Sequence, residues 1–195
     1  MDWFEEWFNS PLYEKLYANR DEEEAKRLIE LIEKFLIKNN SRKILGIACG
    51  RGRHAITLAE KGFDVTAFDL SERAIEIAKE NAKKREVKNV SYMVHDMRKP
   101  LHEKFDAIQN LFTSFGYFEE DEENSRVFDN VAAMLRPGGI FVIDYLNAEQ
   151  VKTNLVPSEN GMFNDIHYTI KRYIEEGIIH KDIVFKKGEK TKKYT

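Results

Sequence analysis

The stretch "ILGIACGRGRHAITLAEKGFDVTAFDLS", residues 44–71, holds residue types whose spacing can do chemistry. Gly50 and Gly52 follow an apolar run, a helical pattern comes next, and a second apolar run ends in Asp69, 19 residues after Gly50. Glycines there let the backbone turn tightly and approach a ligand with no Cβ in the way. A helix starting near Arg53 points its unpaired N–H groups into the same space. A carboxylate ending the next strand can accept both hydroxyls of a ribose. The constellation points to a nucleoside. Gly50-Arg-Gly52-Arg-His-Ala55 also fits G-x-G-x-x-A, which leaves NAD or FAD open, whereas no Gly-Lys-Ser/Thr follows and a Walker phosphate loop is excluded.

The elements that must position these residues alternate. "EEEAKRLIELIEKFLIKN" repeats Leu28, Leu31, Ile32, Phe35 and Leu36 at helical spacing, with Asp21 as its cap. "KILGIA" reads as a buried strand, "RHAITLAEKG" as a helix stopped by Gly62, and "FDVTAFD" as a strand. "SERAIEIAKENAKK" is a helix opened by Ser71. Strands over "NVSYMVHD", "KFDAIQNLF" and "GGIFVIDYL" follow, with a helix over "EENSRVFDNVAAMLR" before the last. Strands separated by helices predict an α/β fold with a parallel sheet and right-handed crossovers. "DIHYTIKRYIEEGIIHKDIVFKK" instead alternates apolar and polar residues around Glu175-Glu176-Gly177, the pattern of a β-hairpin.

Composition narrows the function classes. With 195 residues, 42% apolar and 33% charged, the chain suits one globular domain with a real core. A net charge of −3 gives no overall nucleic-acid footprint, and no apolar run reaches membrane-spanning length. The single Cys49 permits no internal disulfide and fits a reducing cytoplasm. His54, His95, His102, His167 and His180 show no ligand spacing, so no metal site is expected, and His95 reads as packed rather than catalytic.

Four segments, residues 44–71, "VSYMVHDMR", "FDAIQNLFTSFGYF" and "MLRPGGIFVIDYLN", resemble in order and spacing the motifs of class I S-adenosylmethionine-dependent methyltransferases. The nearest branch is a small-molecule one with "CG-x-GRH" and "TSFGYF" signatures, and the resemblance runs over roughly residues 10 to 150. It implies a Rossmann-like doubly wound parallel sheet of strand order 3-2-1-4-5. It also implies one domain over residues 1–195, with an N-terminal helical lid (1–40), a cofactor-binding core (41–150) and a β-hairpin with a basic tail (151–195). The implied cofactor is S-adenosyl-L-methionine. The implied reaction is in-line methyl transfer to an N or O atom of a small-molecule acceptor, with no membrane or nucleic-acid partner.

Carried over residue by residue, Ala48, Gly50 and Gly52 line the methionine part of the cofactor, Asp69 binds the ribose hydroxyls and Leu70 packs on the adenine. Asp96, followed by Met97, takes the adenine amino group, and Asn110 and Leu111 stand beside the sulfonium and amino-acid group. Thr113, Ser114 and Tyr117 are the candidates to line the acceptor pocket and act catalytically. Tyr13, Tyr17 and Arg20 match positions of a lid that excludes water, although this aromatic N-terminus also reads as a helix simply docked on the domain. Two other functions stay open: a nicotinamide-dependent oxidoreductase, and a non-catalytic nucleoside-binding module.

Two positions depart from the family. Gly46 stands where the first strand usually ends in an acid that helps order the loop and reach the cofactor's ammonium, and Ala48 replaces the first loop glycine. The family also continues past the hairpin into a helix and two strands beside the fifth strand, so the chain reads as C-terminally shortened. "GGIFVIDYL" is then expected to be an open apolar edge. The hairpin at residues 163–187, from the same chain or a second copy, is expected to cover that edge or pack over the strand ends; an exchanged hairpin would make a symmetric homodimer.

Overall fold

The computed structural model describes residues 3–17 and 22–194. In chain order the elements are α1 (Trp3–Phe8), α2 (Pro11–Leu16), α3 (Glu22–Lys38), β1 (Lys43–Ile47), α4 (Arg53–Glu60), β2 (Asp64–Asp69), α5 (Glu72–Lys84) and β3 (Val90–Val94). There follow β4 (Phe105–Asn110), α6 (Asp121–Met134), β5 (Leu135–Ile143), α7 (Ala148–Asn154), β6 (Ser158–Phe163), β7 (Ile166–Glu175), β8 (Ile178–Lys187) and β9 (Lys190–Tyr194). They form two compact units, one within Met1–Ser10 and Asn19–Tyr145, the other within Pro11–Ala18 and Leu146–Thr195.

The first unit is a five-stranded sheet of order β3-β2-β1-β4-β5, and every pair in it is parallel. This is the expected Rossmann-like order. Helices on both faces explain why β1 and β2 are apolar without alternation. Ile44 and Val65 pack with Ile29, Ile32 and Leu36 of α3 and with Leu58 of α4. Leu45, Ile47 and Phe68 pack on the opposite face with Val127, Val131 and Met134 of α6. Each such side chain contributes about 1.5–3 kcal/mol by leaving water.

Two local expectations behave differently. Ser71 caps α5 as expected, its Oγ accepting from Ala74 N–H at 3.1 Å. In α3, however, the buried stripe is Ala25, Ile29, Ile32 and Leu36, while Leu31 and Phe35 are about 60% exposed. The apolar residues of that segment outnumber the positions one helix face can bury, and spacing alone did not choose among them. The proposed cap Asp21 lies outside the described residues. Among the described residues, no helix is long and apolar enough to cross a membrane.

The second unit carries an antiparallel sheet of order β6-β7-β8-β9. The expected hairpin is its centre. Glu176 and Gly177 turn with φ of 50° and 82°, the two left-handed residues of a two-residue turn whose twist matches its strands. In their own sheet β7 and β8 take β6 and β9 as neighbours, and within the parallel sheet β5 pairs with β4. The flanking strands "SENGMF" and "KTKKY" are too polar to announce themselves. Gly161 of β6 leaves room for the Tyr168 ring, whose Oη and Cζ a Cβ there would overlap. Ile170, Ile183 and Phe185 are buried beneath.

Candidate functional site

Parallel strands in register bring their carboxyl ends to one rim. Ile47 pairs with Phe68 and with Asn110, and Asp69 pairs with Val94. The loop leaving β1 therefore stands beside the ends of β2 and β4. Its residues Ala48, Gly50 and Gly52 all have positive φ, at 52°, 54° and 82°. Cys49 N–H donates to Phe68 C=O at 2.9 Å, continuing the ladder, and the chain then turns back so that Gly50 N–H donates to Asp69 Oδ2 at 2.8 Å. The other carboxylate oxygen accepts Ser71 N–H at 2.9 Å. One carboxylate thus fixes both the glycine loop and the start of α5. Burial raises the Asp69 pKa, and the N–H donors of Ser71, Gly50 and Leu70 oppose that rise.

The two glycines do different work. A Cβ on Gly50 would meet nothing within 4 Å, so its missing side chain leaves open space above the loop. A Cβ on Gly52 would meet Tyr92 Oη at 2.6 Å and Ala78 Cβ at 3.0 Å. The expectation that Gly52 clears the cofactor's approach is corrected on that ground, because its bare Cα accommodates β3 and α5. Gly46 sits between its register partners Ala67 and Gln109, and a Cβ there would have ordinary contacts at 3.6 and 3.8 Å.

At the end of β3, Asp96 is tied to Arg98, whose backbone N–H donates at 2.9 Å and whose Nη2 donates at 2.8 Å. Although burial opposes it, those donors hold the Asp96 carboxyl below its ordinary range. Met97 packs against the α6-side core. His95 lies just past the strand rather than within it, with Nε2 2.9 Å from Lys99 C=O and its ring edge-on to Phe68.

At the end of β4, Asn110 is buried, its Nδ2 donates to Ser114 C=O at 3.1 Å, and its Oδ1 has no hydrogen-bond partner. Leu111 is buried beside it, and Phe112 and Thr113 follow in left-handed conformation. Such residues cost about 1 kcal/mol each and need outside support. Asp144 supplies it: Oδ2 accepts Phe112 N–H at 2.9 Å and its C=O accepts Thr113 N–H at 3.0 Å. Sequence reasoning missed Asp144, although an acid ending an apolar strand, "FVID", is the same signal that singled out Asp69. The candidate hydroxyls hold this loop too, Ser114 Oγ donating to Leu111 C=O and Tyr117 Oη to Thr113 C=O.

Ala48, Gly50, Asp69, Leu70, Asp96, Met97, Asn110, Leu111, Thr113, Ser114 and Tyr117 thus lie at the carboxyl ends of adjacent strands of the first unit, with Gly52 behind them. Tyr13 and Tyr17 belong to the second unit, their rings 5.0 Å apart, with the Lys181 ammonium 4.9 Å over the Tyr17 ring. Arg20 lies outside the described residues. Two groups near the loop are chemically quiet. Burial and the nearby Asp69 charge push the Cys49 thiol well up, so it is no thiolate nucleophile. Burial and then the Arg53 charge pull His54 down to about 4, and its Nε2 has no hydrogen-bond partner.

His54 therefore makes a pH prediction. Its folded pKa, about 4, lies below the unfolded value of about 6.5, so its neutral form is fully retained above pH 6.5. Stability is lost as pH falls from there toward 4, because the unfolded chain takes up a proton that the folded chain refuses, with a slope of at most about 1.4 kcal/mol per pH unit. Asp69, shifted upward, pulls the other way in the acidic range, so the contrast between chains is what matters. Thermal melts from pH 7 to 4.5 should fall less steeply for His54→Gln than for the wild type; parallel curves would remove His54 as the cause.

Comparison with known proteins adds to this geometry. Residues 44–139 match a family model described as a methyltransferase domain. Glycine N-methyltransferase of Rattus norvegicus is 30% identical over 143 residues, covering 66% of this chain and 49% of the relative. Glycine/sarcosine N-methyltransferase of Aphanothece halophytica is 28% identical over 153 residues, covering 76% and 58%. The chain spans about half the length of the curated relatives it matches. Among solved structures, an S-adenosylmethionine-dependent methyltransferase from Clostridium acetobutylicum shares the fold, with a TM-score of 0.72 at 24% identity over 94% of this chain and 76% of that one.

Proposed function

The chain belongs to the class I methyltransferases through the methyltransferase domain of residues 44–139, and from that premise we propose that it moves a methyl group from S-adenosylmethionine to a nitrogen or oxygen atom of a small molecule. The observation that carries this reading is the Asp69–Gly50 contact at 2.8 Å beside a glycine whose Cβ position is open. It is a loop and a carboxylate held ready at a strand-end rim, where α/β sheets bind nucleosides. The buried, unpartnered Asn110 Oδ1 fits the same ligand, since it has an acceptor still to satisfy.

When bound, S-adenosylmethionine supplies a methyl group already activated by its sulfonium, so alignment matters more than acid–base work. In this reading Asp69 binds the ribose hydroxyls, with its carboxylate already oriented by the Gly50 and Ser71 N–H donors among others. Ala48 and Gly50 let the chain approach the amino-acid end, and Gly52 holds the loop that does so. Leu70, Asp96 and Met97 border the adenine, and Asn110 and Leu111 border the amino-acid group. Thr113, Ser114 and Tyr117 give the acceptor pocket its shape, the hydroxyls of Ser114 and Tyr117 being spent on backbone carbonyls. Tyr13, Tyr17 and Arg20 remain the candidate lid residues. The small-molecule acceptor is supported by the likeness to enzymes named for glycine methylation and by a net charge of −3 without a nucleic-acid footprint. A lone cysteine suits the cytoplasm.

Parallel calorimetry with S-adenosylhomocysteine and NAD tests the cofactor, and binding of NAD alone would overturn the reading. Incubation with methyl-labelled S-adenosylmethionine across a panel of amines and hydroxy acids tests the transfer. Gly46, in place of the family's acid, favours one second reading, a module that binds the nucleoside without catalysis. Cofactor binding with no label moved to any acceptor would select it.

A further inference from the structure

Arg98 stands where three parts of the first unit meet. Its guanidinium grips both Asp96 oxygens, with Nε 3.1 and 3.0 Å from them, and Nη1 pairs with Glu123 of α6 at 2.8 Å. Its guanidinium carbon lies 4.8 Å from the Phe118 ring centroid and 5.9 Å from that of Phe4, and those two rings meet edge-on at 5.6 Å. Phe4 and Trp7 belong to α1 and are each only 6% exposed. α1 is a six-residue helix, too short to be stable alone, so its position depends on such contacts. The segment is pinned a second time where Ser71 Oγ, next to the Asp69 strand end, meets Asn9 Oδ1 at 2.8 Å.

We propose that Arg98 is a positioning residue that links the cofactor site to α1, orienting the Asp96 carboxylate with one edge of its guanidinium while its charge lies against the Phe118–Phe4 ring pair. The link rests on the methyltransferase reading above, in which Asp96 borders the adenine. A bidentate, charge-assisted grip fixes the plane of a carboxylate as a single donor does not, and such a fork is a role that lysine does not reproduce. Binding at Asp96 then stiffens the Arg98 fork and with it the seat of α1, and loss of the seat weakens binding by the same coupling.

The sequence provides the reporter, because its two tryptophans, Trp3 and Trp7, both lie in α1. Acrylamide quenching of tryptophan fluorescence in the full chain, followed during titration with S-adenosylhomocysteine, should fall and reach half-effect at the calorimetric Kd. In Arg98→Met the free protein should quench more strongly and the Kd should rise about tenfold, with Arg98→Lys recovering less than half of that loss on a logarithmic scale. Phe4→Ala, which leaves the Asp96 pair intact, should raise quenching and weaken binding in the same direction, and it serves if Arg98→Met does not fold. Ligand binding with no change in wild-type quenching overturns the link. So does a wild-type Kd in either Arg98→Met or Phe4→Ala. A wild-type chain that binds no S-adenosylhomocysteine overturns the methyltransferase reading itself, and the link falls with it.

Discussion

Asp69→Ala is expected to weaken S-adenosylhomocysteine binding by about 1.5–3 kcal/mol, the range for hydrogen bonds to a charged group, which is about 10- to 150-fold in Kd. Two losses combine. The ribose loses its acceptor, and Gly50 N–H loses the carboxylate that holds the loop at 2.8 Å. Asp69→Asn is not a gentle control, because its amide NH2 would face either Gly50 N–H or Ser71 N–H, donor against donor. The ribose share can be isolated with 5′-methylthioadenosine and its 2′-deoxy analogue. If Asp69 holds that hydroxyl, removing the hydroxyl costs affinity in the wild type and little in Asp69→Ala, so the penalties fail to add. Additive penalties, or an unchanged affinity in the folded variant, would refute the assignment. The upward shift of the Asp69 pKa adds a sign: as pH falls, its carboxyl takes up a proton before an ordinary aspartate would, an acceptor is lost, and binding weakens.

Much of the strand-end site was legible because it obeys local rules. Apolar runs with acids at their ends gave β2 and Asp69, the periodicity of "SERAIEIAKENAKK" gave α5 with Ser71 as its cap, and Glu176-Gly177 gave the hairpin turn. What stayed hidden is fixed by long-range geometry. The grip of Arg98 on Asp96 joins neighbours two apart, yet its Glu123 and Phe4 contacts cross 25 and 94 positions of sequence. The support that Asp144 gives to Phe112 crosses 32. The choice of Ile29 over Leu31 as a buried face depends on which side of α3 meets the sheet. β6 and β9 are polar strands held by their pairing with β7 and β8, a context that propensity does not carry. Gly52 is the sharpest case, since the motif names the glycine and only the neighbours say which surface needs it bare.

Gly52→Val is expected to destabilise the unliganded fold by about 2–5 kcal/mol, a large part of the roughly 5–15 kcal/mol available to a typical domain. The backbone there has φ +82°, a conformation that disfavours a β-branched side chain by about 1–2 kcal/mol. The new Cβ would lie 2.6 Å from Tyr92 Oη, 3.0 Å from Ala78 Cβ and 3.1 Å from Tyr92 Cζ. Overpacking of that kind costs about 1–3 kcal/mol once strand and helix shift to relieve it. For a chain of this size the melting temperature should drop by roughly 4–20 °C. Gly50→Ala shares the positive φ but meets nothing within 4 Å, so it should lose only the conformational part. The decisive comparison is Gly52→Ala with and without Tyr92→Phe. Tyr92 Oη is buried without a hydrogen-bond partner, so removing it costs little by itself and clears the shortest contact. Denaturant unfolding of the four chains should then show the double variant recovering part of the Gly52→Ala penalty. If the side chain instead obstructed the cofactor, Gly52→Val would melt like the wild type without ligand, and Tyr92→Phe would rescue nothing.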